Sequence, residues 1–324
     1  MRSQRRPPVP VPPPAPLPEP ETLDLEALRA SCLSGETDLI CVLGPTASGK
    51  TRYAVQLAHA LDLPAEIISA DSRQVYRGMT IGTGKDLAEY GDIPYHLIDI
   101  ADAGERYDLY RYQQDFERVY ADIRARGAFP ILCGGTGLYI QAVTHAFALQ
   151  NVPADWNLRR DLEEMDLERL LEQYRRCCGE PDETTLASRR RLIRGLEVAY
   201  AREKGLPDGG EVRATNFYPK HTFFIGTLVD REERNRRIDE RLDARLAEGL
   251  VDEVRGLLEQ GLGPEDLIYY GLEYKFVTQY LLGLLDYDSM RLQLATAIHQ
   301  FAKRQMTFFR GMEAKGDRIH WVKA

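Results

Sequence analysis

Long apolar runs are missing from this chain: no uninterrupted hydrophobic segment approaches the roughly 20 residues that a membrane-crossing helix requires. The amino end also lacks the apolar stretch of a secretory signal. Five cysteines, Cys32, Cys41, Cys133, Cys177 and Cys178, include no C-x-x-C pair and no zinc spacing, which argues against metal ribbons and disulfide frameworks. Cys41 and Cys133 lie in apolar runs, where a small buried side chain is the ordinary meaning. A reducing, cytoplasmic setting with no membrane partner is therefore expected. A basic excess is missing too, since the formal net charge is -8. That balance opposes indiscriminate coating of nucleic acid while allowing a local basic face.

What is present begins with nine of the 18 prolines inside residues 1–20, a composition that favours extended states over a packed core. Residues 1–22 are read as a proline-rich disordered tail. From residue 37 onward, short apolar runs alternate with longer amphipathic ones. DLICVLG (38–44), AEIISA (65–70), YHLIDI (95–100), FPILCGG (129–135) and TFFIGTLV (222–229) read as buried strands. KTRYAVQLAHAL (50–61) and YRYQQDFERVYADIRARG (110–127) carry helical spacing, the second ending at a glycine. Strand and helix in series predict an α/β fold, a parallel sheet flanked by helices. Residues 151–205 break that rhythm with charged, strand-free helical sequence, as an inserted helical subdomain would. The core then comprises residues 37–150 and 206–324, with long helical regions at 231–261 and 290–312.

GPTASGKT (44–51) satisfies G-x-x-x-x-G-K-[ST] and stands between an apolar strand and a helix, the context that pattern requires. Gly44, Thr46, Ala47, Ser48 and Gly49 offer backbone N–H groups to phosphate oxygens, and Lys50 adds a point charge. Thr51 is placed to ligand Mg²⁺. The loop alone leaves open whether it holds a nucleoside triphosphate or a diphosphate on another molecule. Asp71 follows the second strand and should emerge near the loop, because ligands of open parallel sheets bind beyond the carboxyl ends of the strands. It could take a proton, hold a metal through water, or merely cap a turn. Gly134-Gly135-Thr136-Gly137 brings a small hydroxyl to the same rim.

These segments, with ISADSRQVYRGMTIGTGK, CGGTGLYIQAV, RRLIRGLEV, REERNRRIDERLD, EGLVDEV and AKRQMTFFR, occur in an order that resembles the tRNA dimethylallyltransferase (isopentenyltransferase) family over about residues 38–322. The resemblance implies a P-loop NTPase-like core and prenyl transfer from dimethylallyl diphosphate to an adenine N6. Asp71 would accept the amine proton, Thr136 would hold the amine in line, and Arg231 or Arg237 would neutralise the diphosphate with Mg²⁺ at Thr51. It also implies a tRNA anticodon stem-loop as acceptor, contacted by Asp71, Ser72, Arg73, Gln74 and Thr136. Arg159, Arg191 and Arg194 of the helical insertion, and Lys303, Arg304 and Arg310 near the carboxyl end, would add phosphate contacts. A monomer is expected. On the acceptor side the chain departs from the family, reading LASRR before the arginine-rich helix and GLEYKF further on. A free adenine nucleotide thus stays open as the acceptor, and a small-molecule kinase as a more distant reading.

Overall fold

Leu39–Leu43 (β1) is apolar at every position, and in the computed structural model all five residues are buried. A strand apolar on both faces needs cover on both, which is the setting of a parallel sheet. Ala65–Ser69 (β2), Tyr95–His96 (β3), Phe129–Gly134 (β4), Thr222–Leu228 (β5) and Ile319–Lys323 (β6) complete a six-stranded sheet in the order β3-β2-β4-β1-β5-β6, with every pairing parallel. The structure describes residues 17–145, 147, 152, 155–205 and 219–324.

Alternation along β1 divides the core in two. Leu39, Cys41 and Leu43 face one layer, Ile40 and Val42 the other. The second layer is closed by α1 (Leu25–Ser34), through Leu28 and Cys32, and by α2 (Lys50–Ala60), through Ala54, Leu57 and Ala58. The first is closed by α3 (Leu109–Ala125) and α4 (Gly137–Thr144), and further by helices of the carboxyl-terminal half. Between α4 and β5 stand α5 (Trp156–Glu164), α6 (Leu167–Cys178), α7 (Glu183–Leu186) and α8 (Arg189–Glu203). They carry a small core of their own, built on Leu162, Leu170, Leu192, Ile193 and Leu196. After β5 come α9 (Arg231–Glu248), α10 (Leu250–Glu259), α11 (Pro264–Tyr269), α12 (Leu272–Leu281) and α13 (Tyr287–Glu313).

Several expectations shift. The run 95–100 forms a strand only at Tyr95–His96, because Leu97 and Asp99 take positive φ values of 62° and 55°, and Asp99 turns to accept from the buried ammonium of Lys85. The helical region 231–261 is two helices, broken where Gly249 adopts φ 108°. Residues 1–16 of the proline-rich tail lie outside the described residues. Within residues 17–22 Glu21 donates its N–H to the Trp321 carbonyl, so attachment to the sheet starts inside the expected tail. Helices α1, α11 and α12 and strand β6 were not expected from sequence. Beyond β6, Ala324 donates to the Leu228 carbonyl, and its Cβ lies 3.7 Å from where a side chain on Gly49 would begin.

Candidate active site

The loop between β1 and α2 departs from ordinary backbone where phosphate oxygens would be received. Gly49 caps α2 at φ 78°, and Ala47, a residue with a side chain, is held at φ 59°. No side chain caps α2, so its first N–H groups remain open toward the cavity in front of them. Gly44 sits so close to β5 that a Cβ there would lie 2.2 Å from Thr227 Oγ1, and Ser48 Oγ meets the same hydroxyl at 2.6 Å. Gly44 and Ser48 thus brace the loop from behind, while Thr46, Ala47, Gly49, Lys50 and Thr51 line a cavity of about 770 Å³.

Gln305 of α13 ties this loop to the opposite wall. Its Oε1 accepts from Thr46 N at 2.8 Å, and its Nε2 donates to the Gly135 carbonyl at 2.9 Å. Gly134, one residue earlier, approaches the end of β2 so tightly that a Cβ would fall 2.3–2.7 Å from the Ala70 backbone. Only glycine allows that approach. Its effect is to set Thr136 beside the Asp71 turn: Thr136 N donates to Ala70 O at 3.1 Å, and Thr136 Oγ1 accepts from Ser72 N at 3.1 Å. Asp71 Oδ1 accepts from Arg73 N at 2.9 Å, closing an Asx turn. Sequence left capping and proton acceptance as alternatives for this carboxylate, and the turn occupies one oxygen only.

The lower wall is a stripe of α9. Arg237, Arg241 and Arg245 recur every four residues and all line the cavity. Each is paired: Arg237 with Glu233 at 2.7 Å, Arg241 with Asp86, and Arg245 with Glu273 at 3.3 Å. Burial pushes the Glu273 carboxyl above its ordinary range, against the pull of Arg245. Lys50, Arg73 and Arg304 also line the cavity, and none has a carboxylate partner among the described residues. Burial lowers the Lys50 ammonium below its usual value, with Cys133 and Asp71 acting in the opposite direction. A second carboxylate, Glu253 of α10, accepts from three consecutive backbone N–H groups, Thr80, Ile81 and Gly82, at 2.7–3.0 Å. It pins the loop whose Gly82–Gly84 segment forms another side of the cavity.

The cavity therefore gathers Thr46, Ala47, Gly49, Lys50, Thr51, Asp71, Ser72, Arg73, Gln74, Thr136, Arg237 and Arg304 of the residues expected from sequence. Arg231 lies outside it, exposed on the first turn of α9. Arg159, Arg191 and Arg194 also lie outside. Arg159 and Arg194 converge on the buried Glu197 carboxylate, at 2.5 and 3.3 Å, and Arg191 donates to the Thr184 carbonyl. Lys303 is exposed on α13, and Tyr139 is buried, stacked on Tyr112 at 3.9 Å. His96 is paired with Glu66 at 2.6 Å, as a structural histidine would be. Gln305, Glu253, Glu273 and Tyr269 were missed, for nothing local marks them. The four-residue spacing of Arg241 and Arg245 after Arg237 was there to be read.

Fold and site together define an α/β enzyme of the phosphate-loop class, with that loop and a carboxylate–hydroxyl pair facing one cavity. Family models described as IPP transferase and isopentenyl transferase match residues 74–312 and 37–90. The tRNA dimethylallyltransferase 2 of Porphyromonas gingivalis is 53% identical over 291 residues, covering 88% of this chain and 94% of that protein. The full-length tRNA isopentenylpyrophosphate transferase of Bacillus halodurans superposes with a TM-score of 0.64 at 32% identity, covering 89% of this chain and 90% of the other. A eukaryotic dimethylallyltransferase solved acting on tRNA gives a TM-score of 0.68 at 25% identity, covering 88% and 73%. The chain belongs to the IPP transferase family and is a prenyltransferase.

Proposed function

We propose that this chain transfers the dimethylallyl group of dimethylallyl diphosphate to N6 of adenosine 37, beside the anticodon of a tRNA, and releases diphosphate. The observation that carries the reading is the shared cavity, which joins the phosphate loop to Asp71 and Thr136 on adjacent strand ends. The N6 lone pair attacks C1, the C1–O bond breaks, and its electron pair leaves on the diphosphate. The amine is a poor nucleophile because its lone pair is delocalised into the ring, so removal of its proton during attack lowers the barrier. Asp71 has an oxygen to spare for that proton, since the Arg73 N–H occupies only Oδ1. Thr136 would orient the amine, and Lys50 with Arg237 and the open N–H groups of α2 would meet the leaving charge.

Mg²⁺ fits the same end of the cavity. Thr51 lines the cavity there, its side chain hydrogen-bonded to Cys133, and among the described residues no cluster of three or more His, Cys, Asp or Glu is arranged to cage a metal. That donor set suits an ion carried largely by water and diphosphate oxygens, whose contribution would be charge neutralisation of the leaving group. Among the described residues no helix is long and apolar enough to cross a membrane. We take the protein to act as a cytoplasmic monomer. Labelled dimethylallyl diphosphate incubated with unmodified tRNA bearing adenosines at positions 36 to 38 should label the tRNA. Label passing to AMP but not to tRNA would replace this acceptor with a free nucleotide, and no transfer at all would remove the reading.

A further inference from the structure

From the cavity wall outward, five side chains from separate parts of the chain lie in alternation. Arg73, on the cavity wall, lies over the ring of Tyr269 at 5.3 Å, and Arg106 covers the same ring at 4.2 Å. Arg106 also covers the ring of Trp156 at 5.0 Å, and Arg159 covers it at 4.9 Å. The series Arg73–Tyr269–Arg106–Trp156–Arg159 thus runs from the reaction cavity to the first helix of the inserted unit. Arg106 and Arg159 already hold carboxylates, Asp266 at 2.7 Å and Glu197 at 2.5 Å, whereas Arg73 has none among the described residues. The uncompensated charge therefore sits at the cavity end. Both aromatic rings stay open to solvent: Trp156 is 52% exposed and Tyr269 38%. Rings that lie against guanidinium planes and are still partly open to solvent match the side chains on which unstacked bases stack.

We infer that this strip is a stacking track for the single-stranded RNA next to the reacting adenosine, with Trp156 and Arg106 holding bases that flank it. The inference rests on the tRNA reading above and adds to it the residues that thread the strand toward Asp71. It also gives the inserted helices a contact made by an aromatic face, beyond arginines reaching for phosphate. A free mononucleotide has no flanking bases to occupy such a track.

The chain has two tryptophans, and Trp321 is buried at 3% exposure, so the emission of Trp156 can be read separately. Titration of the full chain with an unmodified anticodon stem-loop RNA should quench its solvent-exposed emission. Trp156→Phe should remove that signal yet bind RNA nearly as well, because a ring face remains. Trp156→Leu should weaken RNA binding about tenfold, the scale of one lost base stack. Arg106→Lys, which keeps the charge near Asp266 and removes the plane, should also weaken it. Affinity for dimethylallyl diphosphate should stay within about twofold in all three variants. Trp156 is an exposed residue at a helix start, so circular dichroism should report an intact fold. RNA binding of wild-type strength in Trp156→Leu, or no quenching in the wild type, overturns the track alone. Failure of the wild-type chain to bind RNA overturns the tRNA acceptor and the track with it.

Discussion

Replacing Gln305 with leucine tests how the two halves of the catalytic cavity are kept in register. The glutamine is buried on α13 and spends both ends of its amide, accepting from Thr46 N at 2.8 Å and donating to Gly135 O at 2.9 Å. Leucine nearly matches its volume, so the change subtracts hydrogen bonds without opening a void. Each orphaned backbone group costs about 1–3 kcal/mol, and the half-exposed Thr46 recovers part of that from water. A net loss of about 2–4 kcal/mol in the ligand-free protein follows. Some of it should surface as looser phosphate-loop geometry, expected as about tenfold weaker pyrophosphate binding, or about 1.4 kcal/mol. Gln305→Glu separates the two effects. It can still accept from Thr46 but cannot donate to Gly135, and its carboxylate adds repulsion toward the negative charge of a phosphate in the loop. Calorimetric titration with pyrophosphate should rank wild type above Gln305→Leu and Gln305→Leu above Gln305→Glu. Equal affinities in the three proteins would refute the claim that this amide holds the cradle.

Two further outcomes follow from the same geometry. Asp71→Asn keeps an oxygen for the Arg73 N–H, so pyrophosphate affinity should be unchanged while kcat falls about 10²–10⁴-fold; an unaltered kcat in single-turnover assays would dismiss the carboxylate as the base. Burial alone would raise the Glu66 carboxyl, but hydrogen bonds from Arg126 and His96 outweigh it and hold it below its ordinary value. The stability this gives is therefore present above the unfolded value of about 4.3 and is lost as pH falls through the lower folded value. Urea midpoints of wild type and Glu66→Gln should differ at pH 7 and converge in acid; a gap independent of pH would count against the pairing.

How far the sequence could be read depended on whether the information was local. The phosphate loop, the Asp71 turn and Gly134–Thr136 each declare themselves within a few residues, because a strand end and a tight backbone approach impose residue types on the spot. Gln305 and Glu253 reach the site from helices distant in sequence, where a polar residue looks like any solvated one until its partner is known. Arg159 and Arg194 carry a contact that their positions did not announce: Glu197, three residues after Arg194 and nearly fully buried, holds both guanidiniums as counterions. Strand β6 escaped because Ile319–Lys323 alternates a charged ending with His320 and lacks the unbroken apolar run of the central strands. The short helices α11 and α12 carry too few turns to establish a period.

The position of Ala324 bears on how this enzyme should be handled at the bench. A purification handle fused behind that residue would start only a few ångströms from Gly49, on the loop that lines the cavity. Such a handle would crowd the phosphate loop, so it is better removed before kinetics are taken.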